Sequence, residues 1–269
     1  MSAPPVVLVF GGSDPTAGAG LAADILTLAS LGCHPAPVVT AVTAQDTRGI
    51  KQYLPMPTEL VIAQARAVLE DMPVAVFKTG MLCNADIVSA VATIAAEYTH
   101  VPLVVDPVQA TGFAGQALSD EPLDEPLRVL LLPRALLATP NSEEARRLAP
   151  DADTLDACAQ ELLSLGCQYV LVTGTHEATP QVQHRLYGNK RLLDVFQFER
   201  LPHSYHGSGC TLAAACAATV AHGLEPPNAV AQALEYTWRT LKYGHRLGMG
   251  QHVPDRLFWN RVPGEGRTP

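Results

Sequence analysis

The segment His206-Gly207-Ser208-Gly209-Cys210-Thr211 runs into a stretch of small residues, Leu212-Ala213-Ala214-Ala215, that reads as a helix. Two glycines let the backbone curl until successive N–H groups converge. The unpaired N–H groups and the dipole of the helix then point at the same spot. Such a corner holds an anion and suits a phosphoryl group in transfer. Cys210 lies at the helix start, where a thiol is expected to ionise more readily. There it could take a proton from an attacking hydroxyl. Two other readings fit the same residues: a glycine-rich helix cap over a buried cysteine, and a covalent cysteine assisted by His206. Ser208 lies outside any G-x-S-x-G elbow, which argues against a serine hydrolase.

A second group is acidic. In Pro140-Asn141-Ser142-Glu143-Glu144, Asn141 is a good helix N-cap with Glu144 three residues on, the spacing of a capping box. Glu144 at that place could also organise a hydrated Mg²⁺ beside nucleotide phosphates, with Asp106 as a second carboxylate. Asp106 ends an apolar run, where an Asp is as often a turn residue. Gly18-Ala19-Gly20-Leu21-Ala22-Ala23 fits the loose pattern G-x-G-x-x-A of dinucleotide sites. However, seven residues separate Phe10 from Gly18, and the following strand does not end in an acid. A glycine-rich substrate loop, or simply a helix start, fits better. No G-x-x-x-x-G-K-[ST] occurs, which excludes a P-loop. His203 and His206 lack the partners of a zinc set. None of the six cysteines forms C-x-x-C, so they read as reduced thiols of a cytoplasmic protein.

These residues need a frame. Short β-branched runs at Val6–Phe10, Pro37–Thr43, Val74–Lys78, Leu103–Asp106, Leu136–Thr139 and Tyr169–Thr173 read as buried strands. Helical spacing marks Leu21–Leu31, Glu59–Glu70, Asp86–Glu97, Ser142–Leu148 and Thr154–Leu165. The alternation implies an α/β fold with a mainly parallel sheet and helices on both faces. Then come a hairpin, His184–Tyr187 and Leu192–Phe198 around Gly188-Asn189, and two helices, Thr211–His222 and Asn228–Leu247. With no shift in composition, residues 1–269 read as one domain, with a loosely held tail from about 250. In open α/β sheets ligands sit beyond the carboxyl ends of the strands. Gly12, Thr43, Gln45, Met81, Asp106, Val108 and Asn141 all fall just after predicted strands.

The chain of 269 residues is 48% hydrophobic and 16% charged, with mean hydropathy +0.12. That is enough to bury a large core. Its net charge is −8, and 14 Arg outnumber four Lys. That balance argues against nucleic-acid or polybasic membrane binding and leaves small anions open. No apolar run is long enough for a transmembrane helix.

Taken in order, GGSDPTAGAGLAAD (11–24), TAVTAQDTRGI (40–50), KTGML (78–82), VVDPV (104–108), TPNSEEA (139–145), VLVTGTH (170–176) and HGSGCTLAAA (206–215) resemble the hydroxymethylpyrimidine/phosphomethylpyrimidine kinases of thiamine biosynthesis. The match spans roughly residues 6–248. The resemblance implies a ribokinase-like three-layer α/β/α sandwich. It also implies ATP- and Mg²⁺-dependent phosphorylation of 4-amino-5-hydroxymethyl-2-methylpyrimidine and then of its monophosphate. By the same resemblance Asp24, Gln45, Met81 and Val108 hold the pyrimidine, and Gly12, Ala19 and Thr43 line its wall. Gly207, Ser208, Gly209 and Cys210 form the anion hole and proton acceptor. Asn141, Thr173 and Gly209 meet ATP, and Glu144 and Asp106 meet the metal. Such kinases are commonly homodimers. A pyridoxal-type kinase and a non-catalytic pyrimidine binder on the same fold are the alternatives.

Two departures remove positive charge. Thr173 stands where the family usually has Lys in V-x-V-K-G-G-H. Gln109-Ala110-Thr111-Gly112-Phe113 stands where a V-A-K-S-G segment is common. Both bear most on the second phosphorylation, whose substrate is already an anion.

Overall fold

A computed structural model describes residues 3–109, 118–119 and 121–260. β1 (Val6–Gly12) lies inside the sheet, with every residue buried, as its unbroken apolar run requires. Around it, β2 (His34–Asp46), β4 (Val74–Thr79), β5 (Leu103–Val105), β6 (Leu137–Ala138) and β7 (Tyr169–Val172) are all parallel. β3 (Gly49–Pro55) runs back along β2, and β8 (Gln181–Gly188) and β9 (Arg191–Glu199) extend the other edge antiparallel. The nine strands form one sheet in the order β3-β2-β1-β4-β5-β6-β7-β8-β9.

The helices divide by face. α1 (Gly20–Ser30), α7 (Ser208–Ala221) and α8 (Pro226–Lys242) cover one side, packing on Val7, Val9, Val76, Val104 and Leu171. α2 (Thr58–Asp71), α3 (Ala85–Glu97), α5 (Ser142–Leu148) and α6 (Leu155–Ser164) cover the other, with α4 (Asp124–Pro126) and a π turn at Leu127–Leu131. Alternate residues of each central strand therefore feed two separate cores, which gives the three expected layers.

Several expectations are corrected. β3 is an additional strand; its side chains are largely exposed, so it lacks the apolar run of a buried strand. β2 extends to Asp46, which puts Thr43 and Gln45 on the strand rather than after it. The β8–β9 turn is Asn189-Lys190, both left-handed at φ 51° and 57°, one residue later than expected. α8 stops at Lys242, because the chain must turn at Gly244 and bring His245 beside Val253. In the segment beyond 250, Gln251, Val253, Arg256 and Phe258 are buried, while Leu257, Trp259 and Asn260 are exposed. The rest of the expected tail lies outside the described residues, as do positions 110–113.

Candidate active site

A cavity of about 490 Å³ opens at the carboxyl ends of β1, β2, β4, β5, β6 and β7 and is closed by the start of α7. This is where an open α/β sheet places its ligands. The cavity gathers all the sequence-derived residues: Gly12, Ala19, Asp24, Thr43, Gln45, Met81, Asp106, Val108, Asn141, Glu144, Thr173 and 207–210.

One end is a neutral slot. Met81 packs with Ile50 and Leu118, and Val108 leans on this cluster. A Cβ on Gly12 would lie 3.0 Å from the Met81 sulfur, so Gly12 makes room for that side chain. Thr43 Oγ1 donates to the Ser13 carbonyl at 2.7 Å, and Gln45 Nε2 donates to Thr43 Oγ1 at 2.8 Å. The second bond fixes which way round the Gln45 amide sits. A rigid amide above an apolar slot can recognise a flat heterocycle with ring nitrogens.

The other end is charged and buried. Lys78, on β4, donates to both oxygens of Asp24 at 2.9 and 3.0 Å and lies 3.9 Å from Asp106 Oδ2. Burial opposes the lysine's charge, but Asp24 and Asp106 outweigh it and hold its pKa above the ordinary value. Asp24 thus accepts from Lys78 on both oxygens while still lining the cavity where its expected ligand would sit. Burial pushes Asp106 up to about 6, against the pull of Lys78 and with Asp24 adding repulsion. Burial, with Asp106 as a like charge, pushes Glu144 up to about 8. The capping box forms as its spacing predicts. Asn141 Oδ1 accepts from the N–H groups of Glu143 and Glu144 at 2.9 Å, and Glu144 Oε2 accepts from Asn141 N at 2.9 Å. Thr173 pairs with Asn141 across a single parallel bridge.

Two glycine loops meet above this charge. Gly207 caps α7 in the left-handed region at φ 78°. A Cβ there would overlap the Gly18 carbonyl. Only glycine lets the loops come this close. Asp14 binds both loops: it accepts from Ala19 N at 2.7 Å and Thr16 N at 2.8 Å, and it pairs with His206 Nε2 at 2.8 Å. Burial works against its charge, but these hydrogen bonds prevail and hold its carboxyl below the ordinary value.

Cys210 corrects an expectation. Burial pushes its thiol up to about 12 despite the favourable charge of Lys78, so the sulfur carries its proton at neutral pH. Desolvation in the carboxylate-rich pocket outweighs the helix start.

The carboxylates pass a test for a divalent ion. Asp106 Oδ2 is buried without a hydrogen bond, and the Thr79 and Thr139 hydroxyls are buried without one as well. No group of three metal-ligating side chains occurs among the described residues. Mg²⁺ needs none, because it is commonly held by one or two carboxylates with phosphates and water. Sequence reasoning overlooks Lys78, Asp14 and Arg256. A lysine inside the apolar run VAVFKT is the available signal, since a buried lysine requires acidic partners.

A three-layer α/β/α sandwich whose strand ends carry glycine loops, a helix-start anion corner and paired carboxylates is the ribokinase-like architecture of small-molecule kinases. The Staphylococcus aureus pyridoxal kinase superposes with TM-scores of 0.88 in its ADP complex and 0.86 in its complex with AMP-PCP and pyridoxal. It is 27% identical, and the match covers 97% of this chain and 96% of that one. A phosphomethylpyrimidine kinase of Clostridium difficile superposes with TM-score 0.75 and 30% identity over 87% of this chain and 98% of that one. The hydroxymethylpyrimidine/phosphomethylpyrimidine kinase of Mycobacterium tuberculosis is 41% identical over 264 residues, 95% of this chain and 94% of the relative. The family model for phosphomethylpyrimidine kinase matches residues 14–255, and the chain belongs to that family.

Proposed function

We propose that this protein transfers a phosphoryl group from ATP to the hydroxymethyl oxygen of 4-amino-5-hydroxymethyl-2-methylpyrimidine, and then phosphorylates the monophosphate, in thiamine biosynthesis. The observation that carries this is one cavity with a neutral amide-bearing slot at one end and the α7 anion corner with two buried carboxylates at the other. Gln45 and Met81 hold the ring, with Gly12, Ala19, Thr43 and Val108 as its wall. The N–H groups of 208–210 face the transferred phosphoryl group, and Asn141 and Thr173 lie on the nucleotide side. Asp106 and Glu144 would hold Mg²⁺, which when bound neutralises phosphate charge. Phosphoryl transfer of this kind rests on positioning and electrostatics more than on a strong base. A protonated Cys210 is compatible with that, because such a transfer does not require a strong base at the attacking hydroxyl.

ADP release measured side by side on the free alcohol and its monophosphate tests the reading. Turnover of both is expected, with the monophosphate slower because Thr173 brings no cation. Absence of turnover at millimolar substrate, with the pyrimidine still bound in calorimetry, would replace this reading by a non-catalytic binder. A pyridoxal activity is the second reading, favoured by the superposition on the pyridoxal kinase, and pyridoxal in the same assay decides it.

Val42 and Leu54 face one another across the β2–β3 ribbon, 50% and 66% exposed. An apolar pair left open in this way supports self-association of two copies. Sedimentation equilibrium of Leu54→Glu beside the wild type tests that part.

A further inference from the structure

Arg256 follows α8 by some distance in sequence, yet its side chain is buried beneath the cavity, 3% exposed. Its guanidinium uses all three nitrogens. Nη1 donates to the Ala17 carbonyl at 3.2 Å and Nη2 to the Gly18 carbonyl at 2.5 Å. Nε donates to Thr211 Oγ1 at 3.0 Å. The Thr211 hydroxyl in turn donates to the Gly207 carbonyl at 2.8 Å, so the guanidinium is relayed to the residue that caps α7. Ala17 is left-handed without being glycine, at φ 57°. Such a conformation needs an external hold. The main chain of Arg256 is itself pinned: its carbonyl accepts from Ser30 Oγ at 2.6 Å and from the Tyr236 hydroxyl at 3.0 Å. No carboxylate pairs with this guanidinium among the ion pairs of the described residues. Its charge therefore stays available to the site, where Asp24 and Tyr236 are the acidic groups that feel it.

We propose that Arg256 is a positioning residue for phosphoryl transfer. It locks the 17–18 loop against the start of α7, aims the N–H groups of 208–210, and sets a buried positive charge behind them. The proposal rests on the kinase reading of the site. Its three contacts fix loop spacing, and a displacement of about 1 Å at a reacting centre costs on the order of a hundredfold in rate.

The test compares Arg256→Gln and Arg256→Lys with wild type in two measurements. The first is steady-state kinetics on the hydroxymethylpyrimidine with ATP. The second is amide hydrogen exchange of the peptides covering 14–20 and 206–212, followed by mass spectrometry, which needs no turnover. Arg256→Gln is expected to lower kcat about a hundredfold with a small change in pyrimidine KM. It should also speed exchange in both peptides, because the loop and the helix start lose their shared tie. Arg256→Lys should restore part of both, because it keeps the charge without the fork of donors. A folded Arg256→Gln protein with wild-type kcat and unchanged exchange would overturn the proposal. So would an Arg256→Lys protein no better than Arg256→Gln in both measurements. If the wild type itself lacks turnover, the kinase reading fails, and the exchange still decides whether Arg256 ties the 17–18 loop to α7.

Discussion

At the end of the cavity lined by Gly12, Thr43, Gln45, Met81 and Val108, the walls are neutral and their polar atoms are mostly paired with each other. At the other end Lys78, Asp24, Asp106 and Glu144 are buried together, and Asp106 Oδ2 has no hydrogen bond. The first end is complete as it stands and can sort ligands by shape and by one amide. The second carries more negative charge than its single lysine balances. It is built for a charged guest, and the ligand-free protein bears the cost of waiting for one.

That contrast can be broken most severely at Lys78. Lys78→Met leaves two buried carboxylates facing each other and should cost about 3–5 kcal/mol, a fall in Tm of roughly 6–20 °C. Adding Asp24→Asn should return part of that loss in a urea-unfolding cycle. Strict additivity of the two changes would mean that the pair does not act as a unit. Next in size, Asp106→Asn should lower kcat by about 10²–10³ while the pyrimidine KM stays within a few-fold. A change confined to KM would place Asp106 at the wrong end of the cavity. On the neutral side, Gln45→Leu should raise the pyrimidine KM by about tenfold to a hundredfold with kcat nearly kept. Equal losses in both parameters would make the slot part of the chemistry.

The smallest effect concerns pH. An unfolded glutamate releases its proton near its ordinary value of 4.5, whereas Glu144 in the fold keeps it to about 8. Between those limits the unfolded chain binds fewer protons, so native stability falls as pH rises. Asp106 contributes in the same direction up to about 6. Glu144→Gln, which preserves the capping box, should therefore raise Tm at pH 8 by about 2–4 °C, equivalent to about 1 kcal/mol. It should have no effect at pH 4. A uniform gain at both pH values would point to packing instead of charge.

The neutral end is more legible in the sequence than the charged one. Gln45, Met81 and Gly12 each sit near a strand end and line the cavity together, as their positions suggest. The Asn141–Glu144 box forms as written because it depends on four consecutive residues. Asp24 takes a role its motif does not show, because its partner, Lys78, is 54 positions away and joins it only through the sheet. Cys210 shows two rules in opposition: the helix start favours thiolate, burial disfavours it, and burial cannot be counted from a local motif. The parallel strands are readable from β-branched runs that end up buried in the sheet. β3 escapes such a reading because many of its residues meet solvent. The helical stretch around 124–134 escapes it because Pro126 and Pro133 interrupt any regular period.

The bond from Arg256 to the Gly18 carbonyl joins residues 238 positions apart. On the ribosome the first glycine loop is made early and then waits through the synthesis of the following 238 residues for the side chain that will hold it. Until that late residue emerges, the nascent chain carries the strands, both glycine motifs and the carboxylates without the fastening that aligns them. The two glycine loops are thus fastened to one another only after residue 256 has been made.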